Sequence, residues 1–160
     1  MTEDANETQA NKRADENPSG APPGAGTPWY FWVVAGVALL WNGYGAFLWS
    51  GMSFATEAFL EGYPADYIAY ATDLPVWSLL SWGVGVIGGS VASVLLLARH
   101  NLARPAFLLS LIGAATNSLV YITNPPPSGF FNLPLQLFII GFAVFLLWFS
   151  DRMARRGILR

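Results

Sequence analysis

Four long runs of apolar residues constrain the fold of this chain more than any other feature of its sequence. They cover about residues 28–50, 75–98, 105–123 and 130–150. A helix needs about 20 apolar residues to cross the hydrocarbon core of a bilayer, and each run has about that length. Hydrocarbon offers no hydrogen-bond partners, so a chain that crosses it must form helices or a closed barrel. The runs therefore predict an all-α integral membrane protein, a four-helix bundle of residues 28–150.

Ionisable residues are scarce and lie between the apolar runs. Charged residues make up 11% of the chain, against about 25% in an average soluble domain. Residues 28–150 contain seven ionisable acids and bases, which are Glu57, Glu61, Asp66, Asp73, Arg99, His100 and Arg104. All eight Lys and Arg residues of the chain would face one side of a four-span protein. Because cytoplasmic segments are enriched in Lys and Arg, we expect an inner (plasma) membrane protein with both termini in the cytoplasm.

The segments outside the spans have distinct compositions. Residues 1–27 are polar and then rich in Pro, Gly and Ala, which predicts a disordered cytoplasmic tail. Residues 151–160 predict a basic cytoplasmic tail. The connection at 51–74 is of mixed polarity, and we expect short amphipathic helices in it. The link at 99–104 is short, so the second and third spans must be antiparallel neighbours.

A proline lies at or near the start of every predicted span. These prolines are Pro28, Pro75, Pro105 and Pro134. Proline is tolerated in the first turn of a helix because the N–H that it lacks would have no helical partner there. Asp73 and Asn132 each precede a proline by two residues and are predicted N-caps. A shorter helix is predicted from Pro64 to about Thr72.

Residue content excludes several kinds of active site. The chain has no cysteine and a single histidine, His100, so neither a Cys-bound nor a multi-His metal site is expected. No ionisable side chain lies within a predicted span, whereas proton relays and coupled ion transport usually depend on such groups. We therefore expect no catalytic residue, no metal and no cofactor, and hence no enzyme. The net charge of −2 also argues against nucleic acid as a partner.

Amide and aromatic side chains are the remaining candidates for a ligand site within the spans. The six candidates are Trp41, Asn42, Tyr44, Trp82, Asn117 and Gln136. An amide in hydrocarbon needs hydrogen-bond partners. One hypothesis is that these side chains line a site for a neutral hydroxylated ligand. The other is that the amides hold helices together, at about 0.6 kcal/mol each, and the sequence leaves both open.

A strip of small side chains follows the second span at intervals of four residues. Its members are Ser81, Gly85, Gly89 and Ser93. Small residues in this register allow helix backbones to approach closely, which gains packing contacts that lipid does not supply. The strip predicts a helix-packing face, whose partner helix belongs either to the same chain or to a second copy.

Several short motifs lie in the first three spans and in the connections between them. They are Trp29-Tyr-Phe-Trp32, Ala38-Leu-Leu-Trp41-Asn42-Gly, Met52-Ser53, Leu74-Pro75-Val-Trp77, and Gly88-Gly89 with Arg99. Together they resemble a family of small bacterial four-span membrane proteins over about residues 28–123. Members of that family often carry the label "sugar transporter". The resemblance implies sugar transport as an expectation and supplies no functional residues.

Two functions agree with this sequence. The first is a transporter or facilitator of a small neutral solute such as a sugar. Four helices enclose little space, so such a pathway would be expected to form in a homo-oligomer. The alternative is a non-catalytic accessory or interaction protein with a membrane protein partner. In both cases the lipid bilayer surrounds the spans.

Overall fold

The structure is a computed structural model that describes residues 26–54, 57–127, 129 and 132–160. The predicted tail at 1–27 lies almost entirely outside the described residues, and so do the first two residues of the fourth predicted span. The described chain is helical. Its helices are α1 (Trp29–Phe54), α2 (Glu57–Leu60), α3 (Ala65–Asp73), α4 (Val76–Leu97), α5 (Ala103–Thr123) and α6 (Leu133–Arg155).

Four of these helices, α1, α4, α5 and α6, are long and apolar enough to cross a membrane. They contain 26, 22, 21 and 23 residues. At 1.5 Å per residue each is at least about 30 Å long, the thickness of a hydrocarbon core. The prediction of an all-α chain with four helices that could span a membrane is confirmed. Helix α6 continues past residue 150 to Arg155, where two arginines in its last turn suit the negative end of the helix dipole.

One of the two predicted N-caps is present and the other is wrong. The Asn132 side chain accepts a hydrogen bond from the backbone N–H of Leu135 at 3.1 Å, as an N-cap does. Asp73 is instead the last residue of α3, and Pro75 occupies the N-cap position of α4. Leu74 precedes a proline and adopts an extended conformation, which separates Asp73 from the first turn of α4.

The long helices pack side by side in chain order. Helix α4 packs along both α1 and α5, and α5 also packs on α6. In the described part of the chain, α1 and α6 have no extended backbone contact. Their side chains meet instead. The centroid of the Trp41 ring lies 5.1 Å from the centroid of the Phe138 ring and 5.9 Å from that of the Phe142 ring. Aromatic rings therefore span the wider gap between the first and last helices.

The closest helix approach is between α4 and α5. A Cβ atom on Gly113 would lie 2.5 Å from the backbone nitrogen of Gly85 and 2.8 Å from the carbonyl oxygen of Ser81. The Ser110 hydroxyl donates a hydrogen bond to the Gly85 carbonyl at 2.6 Å. All four members of the small-residue strip are buried, which are Ser81, Gly85, Gly89 and Ser93. The strip thus packs against helices of its own chain.

The apolar core lies at one end of the long helices. We call this the basic end, because it carries Arg99, Arg104 and Arg155, and the opposite end the acidic end, because it carries Glu61, Asp66 and Asp73. All four long helices contribute to the core. Its buried members are Phe31, Ala35, Ala38, Ala92, Leu96, Ala103, Phe107, Leu146, Phe149, Met153 and Leu159.

The last residues of the chain close the basic end. The Arg160 backbone N–H donates to the Arg99 carbonyl at 2.7 Å, and the Asn101 N–H donates to the Arg160 carbonyl at 2.9 Å. The side chain of Leu159 is buried in the core. Residues 156–160, which the sequence assigns to a basic tail, therefore fold back onto the link between α4 and α5.

Candidate functional site

A cavity of about 260 Å³ lies between α1, α4, α5 and α6, and we call it the inner cavity. All six residues considered as ligand-binding from the sequence line it, namely Trp41, Asn42, Tyr44, Trp82, Asn117 and Gln136. The rest of its lining is mainly aliphatic and aromatic, and none of the described residues in the lining is charged. The four helices thus bring the six candidates to one site. Whether they bind a ligand stays a prediction.

A second cavity of about 280 Å³, the outer cavity, lies toward the acidic end. Helix α3 forms one wall, and the ends of α1, α4 and α5 form the others. Its lining includes several hydroxyl side chains, which are Ser53, Tyr67, Tyr70, Thr72 and Ser78. Trp82, Asn117 and Tyr121 line both cavities, so the two are neighbours that share one wall.

Asn117 is the polar residue of this shared wall. In the described part of the chain its carboxamide forms no hydrogen bond, and none of its atoms is a fully buried atom without a partner. Its amide is therefore accessible from the cavities rather than sealed in the protein. An amide that is desolvated without a partner costs about 1–3 kcal/mol. A hydrogen-bonding molecule in the cavities would remove that cost.

The other two amides are already occupied with protein contacts. The Asn42 side-chain nitrogen donates to the Ala38 carbonyl of its own helix at 2.9 Å. Its Oδ1 packs over Gly89 so closely that a Cβ atom there would collide with it. The Gln136 side-chain nitrogen donates to the Ser118 hydroxyl and so joins α6 to α5. These contacts favour helix packing as the role of Asn42 and leave Asn117 as the amide most available to a ligand.

The aromatic candidates occupy different positions around the inner cavity. Trp41 packs edge-on against Phe138 and Phe142, so it is part of the wall between α1 and α6. Trp82 stands between the inner and outer cavities. The Tyr44 side chain lines the inner cavity yet is 61% exposed, which places it at the rim.

Tyrosine hydroxyls give the outer cavity a neutral polar surface. Burial, with smaller contributions from Tyr121 and Tyr63, raises the pKa of Tyr67 to about 12. Burial and the neighbouring Tyr67 also raise the pKa of Tyr70. The Tyr70 hydroxyl donates to the Asn124 carbonyl at 2.6 Å, which ties α3 to the end of α5. The outer cavity thus presents protonated hydroxyl groups at neutral pH.

Sequence reasoning missed two polar residues of the site and the outer cavity as a whole. Ser110 and Tyr121 line the inner cavity together with Ala114 and Asn117. The spacing of these four residues follows one face of a helix. That spacing around Asn117 was the available signal. The contribution of α3 had no such signal, because its docking depends on contacts with residues far along the chain.

Comparison with known proteins provides no independent assignment of this site. Its function must therefore be inferred from the residues that line the two cavities. No protein-family model, curated protein or solved structure matches this chain.

Proposed function

We propose that this protein binds a small neutral solute between its four long helices and facilitates the passage of that solute across the inner membrane. In this proposal the helices cross the bilayer as a four-helix bundle with both termini in the cytoplasm. The Lys and Arg residues support that orientation, since all of them fall on one side of a four-span chain. The protein acts without catalysis, as a transporter or facilitator.

The observation that carries the proposal is the position of Asn117. It lies where the inner and outer cavities meet, and its amide has no partner in the described part of the chain. A mainly apolar site with a few placed polar groups is typical of small-molecule binding. Each cavity is slightly smaller than the usual range of about 300–1,000 Å³ for ligand sites, so the pair suits a small molecule.

The charge of the lining favours a neutral solute. None of the described lining residues of the inner cavity is charged, so an ion would lose its hydration without a compensating ion pair. A sugar or polyol is the solute class that the sequence resemblance implies. The hydroxyl side chains of the outer cavity agree with that class.

The basic end is the barrier that such a pathway would have to open. The core occupies that end, and Arg104 forms an ion pair with Asp151 across α5 and α6. Arg156 also donates a hydrogen bond to the Tyr30 hydroxyl and so connects the C-terminal segment to α1. We propose that passage toward the cytoplasm requires these contacts to separate, in the manner of alternating access.

Uptake into liposomes tests the proposal. Purified protein is reconstituted and offered a panel of labelled neutral sugars and polyols. We expect faster uptake of at least one of them than into protein-free liposomes, and a fall of about tenfold for Asn117→Leu. The matched control is Asn101→Leu, which removes an exposed amide far from both cavities. Circular dichroism and gel filtration verify that both variants fold.

Two outcomes would count against the proposal. Equal uptake by liposomes with and without protein across the whole panel would remove the facilitator function. An equal loss of uptake in Asn117→Leu and Asn101→Leu would show that the shared wall of the cavities has no special role.

The alternative function, a non-catalytic accessory protein, needs a surface for a membrane protein partner, and the small-residue strip does not supply one. In the structure this strip is buried, and its glycines approach α5 and Asn42 of the same chain. The strip is therefore not available to another protein. Association between copies of this chain remains part of the proposal, but each chain contains its own pair of cavities.

A further inference from the structure

Two exposed residues of the inner cavity, one on α1 and one on α6, indicate that the cavity opens to the outer surface between these helices. Tyr44 and Leu135 both line the cavity, yet their side chains are 61% and 47% exposed. They flank the gap where α1 and α6 have no extended backbone contact in the described chain. The rings of Trp41 and Phe138 bridge this gap nearer the basic end. We call the opening between Tyr44 and Leu135 the lateral slot.

If α1 is centred in the bilayer, the lateral slot lies at the depth of the acyl chains. The midpoint of α1 falls between Trp41 and Asn42, so Tyr44 is about 4 Å from it along the helix axis. The hydrocarbon core extends about 15 Å to either side of the bilayer centre. Leu135 lies nearer the end of α6 and hence nearer the headgroups. A molecule that passes through the slot would therefore come from the lipid phase of one leaflet.

The wall behind the slot combines apolar and polar side chains. Trp41, Ile139 and Phe142 contribute rings and an aliphatic side chain. The polar groups without a complete set of hydrogen bonds in the described chain include the Asn117 amide, the oxygen of the Gln136 amide, the Tyr121 hydroxyl and the indole N–H groups of Trp41 and Trp82. Such a wall can pack an apolar chain against its rings and exchange hydrogen bonds with a hydroxyl group at the end of that chain.

We propose that the ligand of the inner cavity is a neutral amphiphile, a single apolar chain with a hydroxyl group, which enters from the bilayer through the lateral slot. The chain packs on Trp41 and Phe142, and the hydroxyl group exchanges hydrogen bonds with Asn117. This inference rests on the proposed function in one respect, which is that the cavity binds a neutral ligand.

The route of entry separates an amphiphile from a free sugar. A sugar carries hydroxyl groups around its whole ring, and each one that leaves water for hydrocarbon without a partner costs free energy. A sugar would incur this cost for all its hydroxyl groups before it reached the lateral slot. An apolar chain that moves from lipid onto Trp41 and Phe142 loses no hydrogen bond. Entry through the lateral slot therefore favours an amphiphile over a sugar.

Photolabelling in nanodiscs tests this inference. The probe is a long-chain fatty alcohol that carries a diazirine group, and mass spectrometry locates the labelled residues. We expect labels on the residues of α1 and α6 that flank the lateral slot. Unlabelled fatty alcohol should compete with the probe, whereas glucose and glycerol should not. Asn117→Leu should weaken the apparent affinity about fivefold, as expected for the loss of one hydrogen bond.

A matched pair of variants distinguishes the cavity from the lipid-facing surface. Ala143→Phe places a ring in the inner cavity, and Val144→Phe makes the same addition one residue later on the exposed face. We expect labelling at the slot to disappear in the first variant and to persist in the second. Circular dichroism tests whether both variants fold. If Ala143→Phe does not fold, Ala143→Ile fills the cavity with a smaller side chain.

The outcomes separate this inference from the proposed function. Two results would overturn the proposal that an amphiphile binds the inner cavity. One is labels spread evenly over lipid-facing residues, and the other is labels at the slot that Ala143→Phe leaves unchanged. Covering of the slot by a second copy would also overturn it, and would appear as a lack of label there. If sugar uptake into liposomes is nevertheless observed, the proposed function stands and only the ligand class is wrong. If neither assay gives a signal, both fail.

Discussion

At the basic end all four long helices contribute to one buried core, whereas toward the acidic end the same helices surround two cavities. The buried residues of α6 illustrate the contrast, since all of them lie in its second half, from Leu146 to Met153. The basic end is also fastened by Arg104 with Asp151 and by the folded-back C-terminal segment. One end of the molecule is thus packed, and the other encloses space.

In a membrane this contrast has a specific physical meaning. Lipid is as apolar as the side chains, so helices associate through close packing and hydrogen bonds rather than through the hydrophobic effect. The glycine seam between α4 and α5 and the basic-end core supply that packing. The acidic half has less of this packing, and the proposed binding site would account for that loss.

The seam between α4 and α5 should give the largest effect on stability. Gly113→Ala adds a Cβ atom within 3 Å of Gly85 and Ser81 backbone atoms, so the two helices must separate. We expect a loss of about 3 kcal/mol in the free energy of unfolding, at the upper end for overpacked sites. The matched control is Gly141→Ala, where a Cβ atom meets nothing within 4 Å. That variant should gain up to about 1 kcal/mol from helix propensity.

Unfolding in mixed micelles with increasing SDS, followed by circular dichroism, measures both variants. Equal stabilities for Gly113→Ala and Gly141→Ala would mean that the close approach of α4 and α5 does not support the fold.

The two halves of α1 should respond differently to the same substitution. Phe31 is 0% exposed in the basic-end core, while Phe47 is 63% exposed in the acidic half. Phe31→Ala leaves a void among packed neighbours, and we expect a loss of about 3 kcal/mol, at the lower end for a buried phenylalanine. Phe47→Ala should change the stability by less than about 0.5 kcal/mol, as surface substitutions usually do. Similar losses in SDS unfolding would contradict the division into a packed and an open half.

The sequence predicts where the helices of this molecule lie along the chain much better than it predicts how each helix is rotated about its own axis. Four apolar runs define the spans because length and composition alone decide whether a helix can cross hydrocarbon. The short helix predicted from Pro64 to about Thr72 also exists, as α3 from Ala65 to Asp73. The cap assigned to Asp73 fails because α3 continues up to that residue, and nothing local in the sequence fixes where a short surface helix ends.

The candidate site shows the same limit at the level of side chains. Polar side chains are rare in apolar spans, so the sequence singles out a small set of candidates. All six of them line one cavity. Asn42 and Asn117 look alike in the sequence, but one packs on Gly89 and the other has no partner in the described chain. That difference depends on which face each helix turns toward its neighbours. The α3 wall of the outer cavity likewise depends on contacts across the fold, such as that of Tyr70 with Asn124.

The amides of the open half should contribute little to stability, and unequally. Gln136→Leu and Ser118→Ala each break the hydrogen bond between α6 and α5. We expect a loss of about 0.6 kcal/mol for either variant and the same coupling energy in the double-mutant cycle. Asn117→Leu should not lower the stability, because its amide has no protein bond to lose in the described chain. A loss at Asn117 larger than that at Gln136 would reverse their assigned roles.

At neutral pH the smallest effect should come from Tyr67, because its contribution to stability changes only in alkaline solution. Its pKa is raised to about 12, first by burial and then by the hydroxyls of Tyr121 and Tyr63, while an unfolded tyrosine titrates near 10. Below pH 10 both states keep the proton, so the stability does not depend on this group. Between about pH 10 and 12 only the unfolded state loses it, so stability should fall as pH rises. In a tyrosinate absorbance titration, Tyr67→Phe should remove the highest step. If that step persists in the variant, another tyrosine carries it, and Tyr67 in the wall that α3 forms over the outer cavity is more exposed to water than its packing indicates.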